Sequence, residues 1–136
     1  MTSGQRDPYG AVGDWMTKEP LSVETECSIS DALARMSQAA VRHLLVMEAG
    51  RLVGIVSHRD WRRARASGGS PTWESEPISR IMTDEPVTVA AETSVRWAAR
   101  VLLERKIGCL PVRAGDRIVG IFTTSDALEA LLAALG

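Results

Sequence analysis

Cysteine and histidine are both scarce in this 136-residue chain, which contains two of each. Cys27 and Cys109 form no C-x-x-C pair and lie far apart, so we expect reduced thiols rather than a disulfide framework. His43 and His58 are too few to supply the converging ligands of a zinc site. We therefore expect no bound metal.

Net charge and long apolar runs are also lacking. The formal net charge is −1, which gives no electrostatic reason to expect nucleic acid or an anionic membrane as the main partner. No apolar stretch approaches the roughly 20 residues that span a bilayer, and the polar N-terminus MTSGQRDPYG lacks the apolar stretch of a secretory signal. We expect a soluble, cytoplasmic protein that binds neither nucleic acid nor membrane.

Catalytic signatures are missing as well. The chain contains no P-loop, no G-x-G-x-x-G, no G-x-S-x-G and no H-E-x-x-H motif, and its acidic residues are scattered. These absences predict that the protein is not an enzyme and carries no covalent cofactor. The apolar fraction of 45% is nevertheless enough to form a core, and the length suits one compact domain.

What the chain does contain is an internal repeat with a period of 66 residues. GIVSHRD at residues 54–60 returns as GIFTTSD at residues 120–126, and Met16-Thr17 returns as Met82-Thr83. About a third of the positions from 16 to 60 are identical to their counterparts without a gap, which indicates a true duplication. We assign residues 10–66 and 78–136 to the two repeats. The Gly-, Ser- and Pro-rich segment 67–77 is the predicted linker.

Each repeat predicts the element order strand, helix, strand, strand, helix, which is an α+β fold. Ser28 is a natural N-cap, and Ile29, Ala32, Leu33 and Met36 follow at the spacing of one helix face. The same pattern returns 66 residues later. Two short strands joined by a hairpin turn come next, and a second helical pattern closes each repeat.

A glycine interrupts the last strand of each repeat, at Gly54 and Gly120. Glycine weakens a strand, so its presence indicates that another backbone or a ligand approaches closely. Tight packing between the two halves explains the glycines equally well. The sequence leaves both explanations open.

The S/T-x-x-D motif that follows each glycine combines Ser57 with Asp60 and Thr123 with Asp126. A hydroxyl at the start of a helix lies beside unpaired backbone N–H groups, which can hold a phosphate. A carboxylate three residues later is an acceptor that suits the paired hydroxyls of a ribose. The same residues can equally form a helix capping box. One such motif alone is more often a cap, but its recurrence after a strand glycine favours a ligand site.

The order of these motifs resembles a pair of CBS domains (cystathionine-β-synthase-type domains). The markers are DWMTKEPLSV, RHLLV and GRLVGIVSHRD in the first repeat and RIMTDEPVTV, GCLPV and DRIVGIFTTSD in the second. The resemblance covers roughly residues 12–135. It implies two β-α-β-β-α units packed as one pseudo-twofold module. The two clefts of such a module often bind adenosine compounds such as AMP, ADP, ATP or S-adenosylmethionine.

The resemblance also implies roles for individual residues. Asp60 and Asp126 would hold ribose, with Ser57 and Thr123 near the phosphate. Because the phosphate side holds Arg42 and His43 in one cleft but Gly108 and Cys109 in the other, we expect the Asp60 cleft to be the stronger site for a phosphorylated ligand. Further ligand contacts would come from His58 and Arg59 beside Asp60, from Ile78 and Ile107 in the Asp60 cleft, and from Val12 and Val41 in the Asp126 cleft.

The arginine run and the tryptophans can each be interpreted in more than one way. The arginines of RDWRRARA, among them Arg59 and Arg63, can neutralise a polyphosphate or bind an acidic partner, or they can form a solvated helix face. The four tryptophans suit a core or a dimer interface better than base stacking. We expect a ligand-sensing regulatory module that forms a homodimer and acts on a protein partner in trans. The alternative is a ligand-free protein-interaction or dimerisation module.

Overall fold

The computed structural model describes residues 9–68 and 72–136; the N-terminal residues 1–8 and residues 69–71 of the predicted linker lie outside this range. Two short 3-10 helices, Trp73–Ser75 and Ile78–Arg80, follow the first repeat. The strands are β1 (Thr17–Lys18), β2 (Ser22–Glu24), β3 (His43–Glu48), β4 (Arg51–Ser57), β5 (Thr83–Asp84), β6 (Val89–Ala90), β7 (Cys109–Ala114) and β8 (Arg117–Thr123). The α-helices are α1 (Val12–Trp15), α2 (Ile29–Ala39), α3 (His58–Ala66), α4 (Val95–Arg105) and α5 (Thr124–Leu135).

The chain divides into two compact units. The central unit comprises residues 21–86, and the terminal unit comprises residues up to 20 together with residues 87–136. Each unit has a four-stranded sheet and a separate cluster of buried apolar residues. In the described ranges, no helix combines the length and apolar character needed to cross a membrane.

The two sheets have the same topology. The central sheet has the order β2-β3-β4-β5, and the terminal sheet has the order β6-β7-β8-β1. In each, one parallel pair is followed by two antiparallel pairs. The predicted order of strand, helix, strand, strand, helix is therefore confirmed in both repeats. The short strand that opens each repeat, β1 or β5, pairs with the last strand of the other repeat, which the sequence pattern did not predict.

Helix α2 forms where the predicted N-cap and apolar face agree. The Ser28 hydroxyl accepts a hydrogen bond from the Asp31 backbone N–H at 3.1 Å, which satisfies a donor that the first turn leaves unpaired. Ile29, Ala32 and Met36 are buried in the core of the central unit. Helix α4 repeats this arrangement in the terminal unit, where Ser94 is the N-cap.

The duplication is visible in the backbone as well as in the sequence. Each hairpin has a register shift at the same place, between Val46 and Met47 in one unit and between Val112 and Arg113 in the other. Left-handed φ values also recur 66 residues apart. They occur at Glu19 and Glu85, at Ala40 and Lys106, and at Ala49 and Gly115.

The strand glycines allow close approach by the chain itself. A Cβ added to Gly54 would contact the Met82 thioether sulfur and lie 2.8 Å from Met82 Cγ. A Cβ added to Gly120 would lie 2.7 Å from the Thr17 backbone oxygen and 2.8 Å from Met16 Sδ. All three distances are shorter than van der Waals contact. Packing of the chain against each glycine therefore explains them without a ligand.

These contacts predict that Gly120→Ala destabilises the protein more than Gly54→Ala. The Thr17 carbonyl oxygen is held by strand pairing and cannot move aside, so overpacking at Gly120 should cost about 1–3 kcal/mol. At Gly54 the clash is with a flexible methionine side chain, which can adopt another rotamer. Urea unfolding of the two variants measures the difference. Equal losses, or a larger loss at Gly54, would contradict this explanation.

Candidate functional site

The S-x-x-D motif of the central unit forms a capping box at the start of α3. The Asp60 Oδ2 atom accepts hydrogen bonds from the Ser57 backbone N–H at 2.8 Å and from the Ser57 hydroxyl at 3.0 Å. The Ser57 hydroxyl in turn accepts from the Asp60 backbone N–H at 3.2 Å. Among the residues that the structure describes, none donates to the other carboxylate oxygen, Oδ1. The helix-cap interpretation is therefore correct for this motif, and one oxygen is left over.

The T-x-x-D motif of the terminal unit forms the same box, but the hydroxyl that donates to the carboxylate comes from Thr17 and not from the motif itself. The Asp126 Oδ2 atom accepts from the Thr123 backbone N–H at 2.9 Å, and the Thr123 hydroxyl accepts from the Asp126 backbone N–H at 3.2 Å. In addition, the Thr17 hydroxyl lies 3.3 Å from both Asp126 carboxylate oxygens and donates to them. Only 7% of Asp126 is exposed. Both of its oxygens are thus engaged within the unit.

Asp60 lines a cleft of about 480 Å³ within the central unit. This volume lies in the range of ligand pockets, which is about 300–1,000 Å³. Arg63 and Arg80 contribute cationic groups to its wall, and Trp73 contributes an aromatic ring. The remaining lining residues are Ile29, Ala64, Ser67, Glu76 and Ile81. The cleft therefore combines an acceptor, two guanidinium groups and an apolar wall.

A second group of predicted residues meets Asp60 at the end of the β3–β4 hairpin. His43 pairs with Ser57 across the two strands, and the His58 backbone N–H donates to the Arg42 carbonyl oxygen at 2.9 Å. The structure thus brings together the residues that the resemblance places on the phosphate side. Neither Arg42 nor His43 is among the residues that line the 480 Å³ cleft.

The imidazole of His43 is held in its neutral form at pH 7. Burial lowers its pKa below the ordinary value, because the charged ring loses hydration. The nearby Asp60 carboxylate opposes this shift, whereas Arg42 and Arg59 add to it by like-charge repulsion. His43 can therefore act as a hydrogen-bond donor to a ligand, whereas its contribution as a cation is small.

In the terminal unit, Cys109 takes the place of His43, and its thiol is buried and unreactive. Only 6% of Cys109 is exposed, and burial, followed by the negative charge of Asp126, raises the pKa of its thiol to about 12. A thiol with this pKa forms almost no thiolate near neutral pH and is a poor nucleophile. The expectation of an inert, reduced cysteine fits this environment.

The other predicted ligand contacts fall in both units. Val12 and Ile78 are fully buried in the cores of the terminal and central units, so their side chains are closed to solvent. Val41 packs against the central core and Ile107 against the terminal core. The pairing of Val41 with Asp126, and of Ile107 with Asp60, stays a prediction. Gly108 accepts a hydrogen bond at its carbonyl oxygen from the Thr124 backbone N–H at 3.1 Å.

Sequence reasoning missed most of the cleft. Arg63 lies one helical turn after Asp60, and this i, i+3 spacing is a signal that could have identified it. Trp73 lies in the segment predicted as a linker, and Arg80 opens the marker RIMTDEPVTV, to which no role in ligand binding was assigned. Within the described ranges, no group of three or more His, Cys, Asp or Glu residues is placed to hold a metal ion.

Helices α4 and α5 carry an exposed apolar surface, which we call the leucine face. Leu103 is 80% exposed and Leu135 is 72% exposed, although leucine is among the residues most often buried in a protein core. A groove of about 830 Å³, lined by residues of both helices, lies beside these side chains. The leucine face comprises Leu103, Leu128, Leu131, Leu132 and Leu135.

Comparison with known proteins matches both repeats to the same family. The model of the CBS domain family matches residues 12–67 and again residues 78–133. The chain is 29% identical over 127 residues to the CBS domain-containing protein CBSX3, mitochondrial, of Arabidopsis thaliana; the match covers 90% of this chain but only 59% of the plant protein. The chain is thus similar to a part of that relative.

Two solved structures with bound ligands are also similar. CBSX2 in complex with AMP has 29% sequence identity and a TM-score of 0.77, with coverage of 93% of this chain and 99% of CBSX2. The CBS domain pair of MJ0100, in complex with 5′-methylthioadenosine and S-adenosyl-L-methionine, has 26% identity and a TM-score of 0.81, with coverage of 93% and 98%.

The environment of His43 predicts that the protein loses stability as the pH falls below about 6.5. The unfolded chain then binds a proton that folded His43 resists, so the contribution is fully present above about pH 6.5 and declines below it, by at most about 1.4 kcal/mol per pH unit. Urea unfolding at pH 7.5 and pH 5.5 measures the slope. His43→Gln should flatten it, and His58→Gln is the matched control. An unchanged slope in His43→Gln would rule out this assignment.

Proposed function

Because this chain belongs to the CBS domain family, with one domain in each repeat, we propose that it is a regulatory module that binds an adenosine-containing nucleotide. The ligand is AMP, ADP, ATP or S-adenosylmethionine, and it is bound without being transformed. The functional domains are residues 10–66 and 78–136. The observation that carries the proposal is Asp60, a residue that lines the cleft and has one carboxylate oxygen that the helix cap does not use.

A ribose suits the position of Asp60. The two vicinal hydroxyls of the sugar are donors, and a carboxylate accepts such hydrogen bonds without offering a competing donor. The capping box holds the carboxylate in place through Oδ2, so a sugar hydroxyl meets an acceptor that is already oriented. This arrangement supports the ribose role that the family resemblance implies for Asp60.

The walls of the cleft support a phosphorylated, aromatic ligand. Arg63 and Arg80 present guanidinium groups, which bind phosphate oxygens by charge-assisted hydrogen bonds. Trp73, Ile29 and Ile81 offer apolar surface against which a planar base can pack. Arg42 and His43, at the nearby strand end, supply the further donors that the resemblance assigns to the phosphate side.

The class of ligand is supported by the relatives. CBSX2 binds AMP, and the CBS pair of MJ0100 binds 5′-methylthioadenosine and S-adenosyl-L-methionine. We propose that occupancy of the Asp60 cleft alters the affinity of this module for a protein partner in trans, in the cytoplasm. No covalent cofactor is part of this proposal.

Thermal unfolding with AMP, ADP, ATP and S-adenosylmethionine, with GTP as the control nucleotide, tests the proposal. A ligand at 100 times its dissociation constant adds about 2.7 kcal/mol and raises the Tm by several degrees. Asp60→Asn should weaken binding by about tenfold to a hundredfold, since it removes a charged acceptor of the sugar hydroxyls. The asparagine side-chain oxygen can still accept from the Ser57 N–H, so the cap is kept.

Calorimetric titration of both proteins gives the dissociation constants. Unfolding of Asp60→Asn without ligand shows whether the cap is intact. If this variant binds nucleotide as tightly as the native protein, the ribose assignment is wrong. If no adenosine compound raises the Tm, nucleotide binding itself is wrong.

The leucine face favours a second function, a homodimerisation module. Exposed apolar patches of this kind mark protein interaction sites, and a second copy of the chain presents the same face for burial. The positions 66 residues earlier carry Ser37, Arg62 and Arg65 in place of Leu103, Leu128 and Leu131. The fold therefore does not require leucine at these positions, which supports their role in contact with another molecule.

We expect sedimentation equilibrium to give twice the chain mass of 14.7 kDa for the native protein. Leu103→Glu should shift it towards the monomer, because it places a charge in the apolar interface. Ser37→Glu, at the equivalent position of α2, is the matched control and should leave the dimer intact. A monomeric native protein, or a dimer unaffected by Leu103→Glu, would show that the leucine face has another role.

A further inference from the structure

We infer that the two repeats are not equivalent as ligand sites: the Asp60 site binds the phosphorylated ligand, and Thr17 of the same chain occupies the Asp126 site. This inference rests on the proposed function and deepens it. It predicts one nucleotide per chain in a protein whose sequence contains two binding motifs.

The hydroxyl of Thr17 does at Asp126 what a sugar hydroxyl would do. It donates to the carboxylate from 3.3 Å to each oxygen, and Asp126 is only 7% exposed. Thr17 itself is exposed, and its hydroxyl contacts this almost buried carboxylate. A nucleoside would have to displace this internal donor before its ribose could reach Asp126.

The position of Thr17 is fixed by the sheet. Thr17 pairs with Ile121 across β1 and β8, and its carbonyl oxygen lies against Gly120, where a side chain would exclude it. Thr83, its counterpart in the central unit, pairs with Ile55 in the same register. Within the described residues Thr83 makes no hydrogen bond to Asp60. The equivalent backbone therefore closes one site and leaves the other open.

The side chains near Asp60 and their counterparts near Asp126 also differ in charge, and the difference favours phosphate binding near Asp60. Five cationic or donor side chains near Asp60 are replaced 66 residues later by residues that cannot bind phosphate as a cation. Arg42 corresponds to Gly108, His43 to Cys109, His58 to Thr124, Arg59 to Ser125 and Arg63 to Glu129. On the first turns of α5, Glu129 has a carboxylate where Arg63 has a guanidinium group, and like charges repel, so this position disfavours a phosphate near Asp126.

Cys109 does not compensate for these losses. It lies opposite Thr123 in the hairpin, where His43 lies opposite Ser57 in the other unit. Burial and the neighbouring carboxylate raise its thiol pKa to about 12, so it offers a weak, uncharged donor. Occupancy by Thr17 and the replacement of these five side chains are independent observations, and both point to a single nucleotide site.

The test is calorimetric titration of the full chain with AMP and, separately, with adenosine. We expect one AMP per chain in the native protein and in Asp126→Asn. Asp60→Asn should bind AMP at least tenfold more weakly. Thr17→Val removes the internal donor with little change in shape, so it should bind a second adenosine per chain while still binding one AMP. Thr17→Ser, which keeps the hydroxyl, should behave as the native protein.

The outcomes separate this inference from the proposed function. Two AMP molecules per chain, or weaker AMP binding in Asp126→Asn, would overturn the single-site inference and leave nucleotide binding established. If Thr17→Val binds only one adenosine per chain, Thr17 is not the reason that the Asp126 site is closed to ligand. Absence of AMP and adenosine binding would overturn the inference, and absence of binding by ADP, ATP and S-adenosylmethionine as well would overturn the proposed function. Folding of each variant is checked by urea unfolding in the absence of ligand.

Discussion

Each unit depends on one carboxylate, three residues after the end of the hairpin. Asp60 and Asp126 accept the backbone N–H of the residue that ends the strand, and in return their own N–H groups are capped by a hydroxyl. These bonds satisfy donors that the first turn of a helix leaves unpaired. They also fix the direction in which the helix leaves the sheet. A ligand that uses such a carboxylate must share it with the cap, and this limits what each site can offer.

The sharing has a useful consequence for binding. A flexible aspartate would lose conformational freedom when it binds a sugar, and that loss would reduce the affinity. Asp60 is already ordered by the Ser57 backbone and hydroxyl, both of which act on a single oxygen. The side chain of Asp60 has therefore already lost its conformational freedom on folding, before a ligand binds. In the terminal unit the same geometry is completed by Thr17 instead, so a preformed acceptor does not by itself guarantee an open site.

Local and periodic signals made much of the fold predictable. The 66-residue repeat, the Ser28 cap and the apolar spacing of α2 depend on neighbouring residues, and the structure confirms them. The strand glycines indicated either close approach by a backbone or ligand or tight packing between the halves, and the structure shows that residues of the chain itself pack against both. The pairing of β1 with β8, and of β5 with β4, could not be predicted, because strands of two residues carry no pattern that specifies a partner.

The site was less predictable for the same reason. Asp60 belongs to a motif, whereas Trp73 and Arg80 reach the cleft only because the chain folds back after α3. Arg63 lies in an arginine run that suits a solvated helix face equally well. The contact of Thr17 with Asp126 spans 109 residues of sequence and requires that β1 pair with β8. Such contacts are properties of the topology, and no local pattern contains them.

The duplication offers a control that single domains lack. Positions that stay identical in both repeats, such as the strand glycine and the motif aspartate, are those on which the shared backbone depends. Positions that differ while the backbone stays the same are free of that constraint. On the second helix, arginines 62 and 65 of one copy correspond to leucines 128 and 131 of the other. An arginine-rich surface suits an anionic ligand, and a leucine surface suits burial against protein. Because neither choice is needed to build the helix, the divergence supports the proposal that the two copies have separate roles, ligand binding in the central unit and association in the terminal unit.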